Sequence, residues 1–113
     1  MLKTFLTVLM VLLFSFTFAQ RSGTASFYHD KYDGRRAANG SIFKQSGMTC
    51  ASNVHKMGTM LRVTNKENGK SVIVKVTDTG GFRLPRIVDL SKRAFSQIAS
   101  LKQGLVRVLV EEI

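Results

Sequence analysis

Two alternating segments on either side of an Asn-Gly turn constrain this chain more than any other feature. Leu61-Arg62-Val63-Thr64-Asn65 and Val72-Ile73-Val74-Lys75-Val76 carry apolar side chains at every second position. A period of two is the signature of a half-buried strand. Between them lies Lys66-Glu67-Asn68-Gly69-Lys70, and Asn-Gly supplies positive φ at little cost. The pattern predicts an antiparallel hairpin closed by a tight turn at Asn68-Gly69. A hairpin with one apolar face needs further elements to cover it. Gly23 to Tyr28 reads as a first strand, Met48 to Ala51 as a short buried one and Ile87-Val88 as another. Leu105 to Val110 closes the set, with Val106, Val108 and Val110 on one side. Ser91 is placed to cap a short helix through Lys92–Ile98, where Phe95 and Ile98 share a face. Asp30 to Ser41 is polar, with Gly34 and Asn39-Gly40, and reads as a loop. The expectation is a mainly β fold: a small closed barrel of six short strands with one short helix.

The barrel is assigned to residues 20–113. Met1-Leu2-Lys3 is a short basic start, Thr4 to Phe18 is almost wholly apolar, and Phe18-Ala19-Gln20 offers a small residue before a polar one. That order reads as a signal peptide over residues 1–19. The apolar run falls short of the roughly 20 residues a spanning helix needs. An exported protein is expected, in the periplasm or outside the cell and associated with the envelope. Lys and Arg number 17 against 7 Asp and Glu, a net charge of +10. Such a surface attracts polyanions, and for an exported chain these are cell-wall polymers before nucleic acid. Regular basic-aromatic interleaving, expected for single-strand binding, is missing, so no specific nucleic acid is expected. The single cysteine, Cys50, precludes an internal disulfide and sits among apolar neighbours, which suits a small buried side chain. It lies far from residue 20, so no lipid anchor is expected on it. No metal-ligand spacing is present, and neither a metal nor a cofactor is expected.

Several segments, taken in order, resemble one family. Gly23-Thr24-Ala25-Ser26-Phe27-Tyr28 resembles a G-x-A-S-x-Y strand, and Gly34 to Gly40 a G-x-x-T-A-x-G loop. Thr49-Cys50-Ala51 resembles a T-A-A strand. Gly58-Thr59, Arg62 to Asn65 and Asn68-Gly69 resemble a G-T-x-x-x-V-x-N…N-G hairpin. Val74 to Phe82 resembles V-x-V-x-D-R-G-P-F, and Arg86-Ile87-Val88-Asp89-Leu90-Ser91 resembles R-I-I-D-L-S. Together they resemble the double-psi β-barrel domain of the rare lipoprotein A (RlpA) family, related in fold to expansins and barwin-like proteins. The resemblance implies a monomeric barrel that acts on peptidoglycan or another anionic cell-wall polysaccharide. It implies lytic transglycosylase chemistry, the non-hydrolytic cleavage of glycan strands that leaves a 1,6-anhydro end.

Breaking a glycosidic bond needs a proton on the leaving oxygen and stabilisation of positive charge at the anomeric carbon. A lytic transglycosylase manages with one acid, because the sugar's own 6-hydroxyl is the nucleophile. The family pattern places a Glu after the loop glycine, a His after the T-A-A strand and an Asp before the R-G-P turn. Here those positions read Ser41, Ser52 and Asp78, and the turn reads Thr79-Gly80-Gly81, without guanidinium or proline. Asp78 is therefore the expected catalytic residue, with Ser41, Ser52, Tyr28 and Asn39 as expected substrate contacts. Serine hydroxyls cannot replace the missing acid, so catalysis is expected to be weak or lost. The alternative is an expansin-like module that binds polysaccharide without cleaving it. Asp89 stands where the family has an Asp before the helix, and capping or turn support is the role expected of it.

Overall fold

The computed structural model describes residues 19–113. The expected leader, residues 1–19, falls almost entirely outside the described residues. Among those described, no helix is long and apolar enough to cross a membrane.

Six strands close into a barrel: β1 (Gln20–Phe27), β2 (Thr49–Ser52), β3 (Met60–Asn65), β4 (Ser71–Asp78), β5 (Arg86–Leu90) and β6 (Val106–Glu112). Their order around the barrel is β1-β5-β2-β4-β3-β6, and β6 returns to β1. Two neighbouring pairs, β1 with β5 and β2 with β4, are parallel, and the other four are antiparallel. Closure leaves no unpaired edge. One helix, α1 (Lys92–Ile98), crosses between β5 and β6.

The alternation read from the sequence fills the interior. Leu61 and Val63 of β3, Val72, Val74 and Val76 of β4, and Val106, Val108 and Val110 of β6 are buried in one cluster. Ala94, Phe95 and Ile98 seal it from α1. Ser91 caps the helix by accepting the amide of Ala94 at 3.2 Å. Cys50 is a free thiol in the same core, pushed up to about 12 by burial and then by the charge of Asp89.

The β3–β4 connection is longer than a two-residue turn. Its last strand pair is Thr64 with Ser71, and Gly69, at φ +75°, donates its amide to the Asn65 carbonyl at 2.8 Å. The two asparagines of this loop do more than turn the chain. Asn65 and Asn68 both donate side-chain amides to the carbonyl of Ile98, at 2.8 and 2.9 Å, satisfying the end of α1. The long loop between β1 and β2 holds a single 3-10 turn at Asp30–Tyr32 and an isolated bridge between Arg36 and Ile42. Its tip is tied to the end of β4, where Asn39 donates its amide to the Thr77 carbonyl at 3.1 Å.

Candidate functional site

The two parallel strand pairs build the site. In each, the register slips by one residue: between Thr24 and Ala25 on β1 against β5, and between Cys50 and Ala51 on β2 against β4. The slips add one residue to β5 and one to β4, and such bulges re-aim the side chains that follow. Beyond them, Ala51 pairs with Asp78 on one side and Asp89 on the other, and Asp89 pairs in turn with Ser26. Residues paired across strands share a face of the sheet. Ser26, Asp89, Ala51 and Asp78 thus form a row across β1, β5, β2 and β4. Two strand spacings separate the backbones of the two aspartates, roughly 10 Å. The small side chain of Ala51 lies between them and leaves a floor.

Above that floor is an open cleft of about 440 Å³. Asp78, Asp89 and Ala51 line it together with Tyr28, Tyr32, Phe82 and Arg86, and Phe82 packs against the cluster of Tyr28, Phe43 and Ala51. The wall at Phe82 is built by Gly80: a Cβ there would sit 1.8 Å from the Phe82 ring. Asn53 holds the same loop by donating to the Phe82 carbonyl at 2.8 Å.

The two carboxylates have different surroundings. Asp78 accepts three hydrogen bonds: the Ala38 amide at 2.9 Å, the Thr79 amide at 3.0 Å and the Tyr28 hydroxyl at 2.9 Å. Tyr28 is itself fixed, stacked on Phe43 with ring centres 4.0 Å apart, and its carbonyl accepts from Gln45 at 2.7 Å. Burial, then the hydrogen bond to Asp78, holds the Tyr28 phenol above its usual range. Asp89 has one firm donor, the Ser26 hydroxyl at 3.0 Å, and a long ion pair from Arg86 at 3.5 Å. Burial pushes the Asp89 carboxyl above the ordinary Asp value and the charge of Asp78 adds to this, while Ser26 and Arg86 pull the other way. One carboxylate is therefore surrounded by donors, and the other is desolvated beside it.

The expected site residues fall in different places. Tyr28 and Asp78 line the cleft and touch. Asn39 and Ser41 sit on the loop tip next to Ala38; the Ser41 hydroxyl donates to the Asn39 carboxamide oxygen at 2.6 Å. Ser52 is buried at 2% exposure, and its hydroxyl accepts the amides of Val54 and His55 at 3.1 and 3.0 Å. None of these three hydroxyl or amide groups lines the cleft. Asp89, expected to support the turn before α1, faces the cleft instead, and Ser91 does the capping. No local signal in the sequence marks this, because the extra residue in β5 between the partners of Thr24 and Ala25 resets the face that Asp89 takes.

A closed six-stranded barrel with two parallel pairs and a cleft over their bulges is a double-psi β-barrel. Among solved structures it is similar to a Streptomyces papain inhibitor, with a TM-score of 0.69 at 22% identity over 84% of this chain and 94% of that one. It is also similar to a mutant Clavibacter michiganensis expansin in complex with cellohexaose, with a TM-score of 0.64 at 22% identity over 84% of this chain and 50% of that one. In sequence, residues 20–110 match the family described as lytic transglycolase, and the chain belongs to it. The chain is 44% identical over 91 residues to the endolytic peptidoglycan transglycosylase RlpA of Pseudomonas aeruginosa. That match covers 80% of this chain and 27% of the relative, so the chain spans little more than a quarter of that protein's length.

Proposed function

We propose that this barrel, exported by a leader over residues 1–19, binds peptidoglycan glycan strands in its cleft and cleaves them slowly as a lytic transglycosylase. The observation that carries the reading is the row that sets Asp78 and Asp89 on either side of Ala51 under one cleft. We assign the proton to Asp89 rather than to Asp78, because burial favours the neutral form of Asp89 while three donors surround Asp78. Asp89 gives that proton to the bridging oxygen as the bond from C1 breaks. Asp78, as carboxylate, faces the positive charge that develops at C1. The 6-hydroxyl of the same sugar then bonds to C1 and returns a proton to Asp89, closing the 1,6-anhydro ring. Turnover is low, because the family's Glu and His positions are serines whose hydroxyls are engaged within the chain. The same serines support a second reading, binding without cleavage, for which the cellohexaose complex of the expansin neighbour is the model.

The net charge of +10 supports an anionic wall polymer as partner. Incubation with purified sacculi separates the readings. Protein should sediment with the sacculi and be released by salt as the charges are screened, and anhydro-muropeptides should accumulate slowly. Sedimentation without products leaves the binding module; no sedimentation at low salt overturns both.

A further inference from the structure

A second row of paired residues crosses the barrel on the side away from the cleft. Gln20 of β1 pairs with Glu111 of β6, Glu111 with Arg62 of β3, and Arg62 with Ile73 of β4. Residues paired across strands share a face, and this is the outer one, since their strand neighbours Leu61, Val63, Val72, Val74 and Val110 fill the interior. Beside the row, Met60 pairs with Lys75, and Ile113 donates its amide to the Met60 carbonyl at 3.1 Å. Apolar and cationic side chains therefore alternate: Met60 and Ile73 lie on one diagonal, Arg62 and Lys75 on the other. Met60, Ile73 and Ile113 are 40%, 44% and 57% exposed. Glu111 is the one acid among these residues, and Arg62 meets it at 3.5 Å. Lys75 has no carboxylate partner among the described residues.

We propose that this outer face of β4, β3 and β6 rests on an anionic lipid bilayer, with Met60, Ile73 and Ile113 in the headgroup region and Arg62 and Lys75 on lipid phosphates. Exposed apolar side chains set among cations suit such a surface: the apolar atoms leave water, and each cation near the phosphates adds attraction. The way the chain enters the barrel favours a membrane over a protein partner. The leader read over residues 1–19 joins the barrel at Gln20, the first residue of the row, so the segment that enters the membrane during export meets the barrel at this face. That argument rests on the leader reading. Docking here also has a consequence for the cleft. Strands β5 and β2 stand across the barrel from β3 and β6, and they carry Asp89 and Ala51 of the cleft. A barrel seated on β3 and β6 turns its cleft away from the bilayer, toward the wall polymer.

The test is flotation of protein recovered after export with vesicles of phosphatidylethanolamine and phosphatidylglycerol, compared with vesicles of phosphatidylcholine alone. The protein should float with the first and stay behind with the second. Lys75→Gln should weaken the partition about fivefold, the scale of one surface cation. Ile73→Ser should weaken it about tenfold through lost apolar burial, and should still sediment with sacculi, because Ile73 does not line the cleft. The chain has no tryptophan, so Met60→Trp supplies a single reporter whose emission should shift to the blue on the anionic vesicles. Leu84→Trp, just before β5 on the far side of the barrel, should give no shift. Failure to float with anionic vesicles overturns the proposal, as does a partition that Ile73→Ser leaves unchanged. Equal flotation with phosphatidylcholine overturns the role of Arg62 and Lys75. A shift at residue 84 and none at residue 60 overturns this face. Loss of sacculus binding in Ile73→Ser assigns the patch to the wall polymer and overturns it likewise. A recovered protein that begins at Met1 overturns the leader reading alone; the Ile73→Ser and tryptophan readouts still decide the face.

Discussion

Gly23→Ala tests whether β1 and β5 approach as closely as the site requires. A Cβ at position 23 would lie 2.6 Å from the Pro85 carbonyl oxygen and 2.8 Å from both Cγ1 and Cδ1 of Ile87. Neither neighbour has room to retreat. The Pro85 oxygen accepts the Thr24 amide at 2.7 Å, and Ile87 is fully buried in the core. Overpacking of this kind costs about 1–3 kcal/mol. Stretching the Thr24 bond adds up to about 1 kcal/mol. Against this stands the stiffer unfolded chain of alanine, which contributes about 0.4–1 kcal/mol the other way. The net expectation is a loss of roughly 1–3 kcal/mol, read from the midpoint of urea unfolding with the slope unchanged. The same strand pair sets Ser26 against Asp89, so sacculus binding should weaken along with stability. A variant as stable as the parent, or more so, would refute the close packing and the register built on it.

Three further outcomes follow from the structure. Asp89→Asn should make the protein more stable at neutral pH: the folded carboxyl lies above the ordinary value of 3.8, so the folded state is penalised progressively as pH rises from 3.8 through its folded value. The advantage should shrink as pH falls through that folded value and vanish below 3.8, which denaturant melts across pH will show. Gly69→Val should cost about 1 kcal/mol or more, because a β-branched residue resists positive φ; an unchanged unfolding midpoint would mean the turn lies elsewhere. Ser52→Ala should cost about 1–2 kcal/mol by leaving two amides without an acceptor, and sedimentation with sacculi should persist in the folded variant.

What the sequence discloses here is what is local. The hairpin, the apolar faces of β3, β4 and β6, and the Ser91 cap each depend on residues within a few positions of one another, so pattern alone reaches them. The connection between Asn65 and Ser71 has Gly69 at positive φ as expected, but the sequence gives no sign that Asn65 and Asn68 also hold the end of α1, a partner 30 or more residues away. The site is nonlocal throughout. Ser26, Ala51, Asp78 and Asp89 meet only through a register that two bulges reset, and no period in the sequence carries a bulge. Asp89 illustrates the difficulty: an Asp three residues before a helix suggests a cap or turn support, yet the slip in β5 turns it toward the cleft. Motif position likewise gives no sign that the Ser41 hydroxyl is held by Asn39, or that Ser52 closes a turn.

The central claim, a slow lytic cleavage with Asp89 as proton donor, is tested most directly by mass spectrometry of purified glycan strands after long incubation with the protein. The account predicts 1,6-anhydro ends from the wild-type protein, accumulating faster in mildly acidic than in alkaline buffer because Asp89 must hold its proton, and none above background from Asp89→Asn. Anhydro ends produced equally well by Asp89→Asn, or reducing ends in place of anhydro ends, would contradict it.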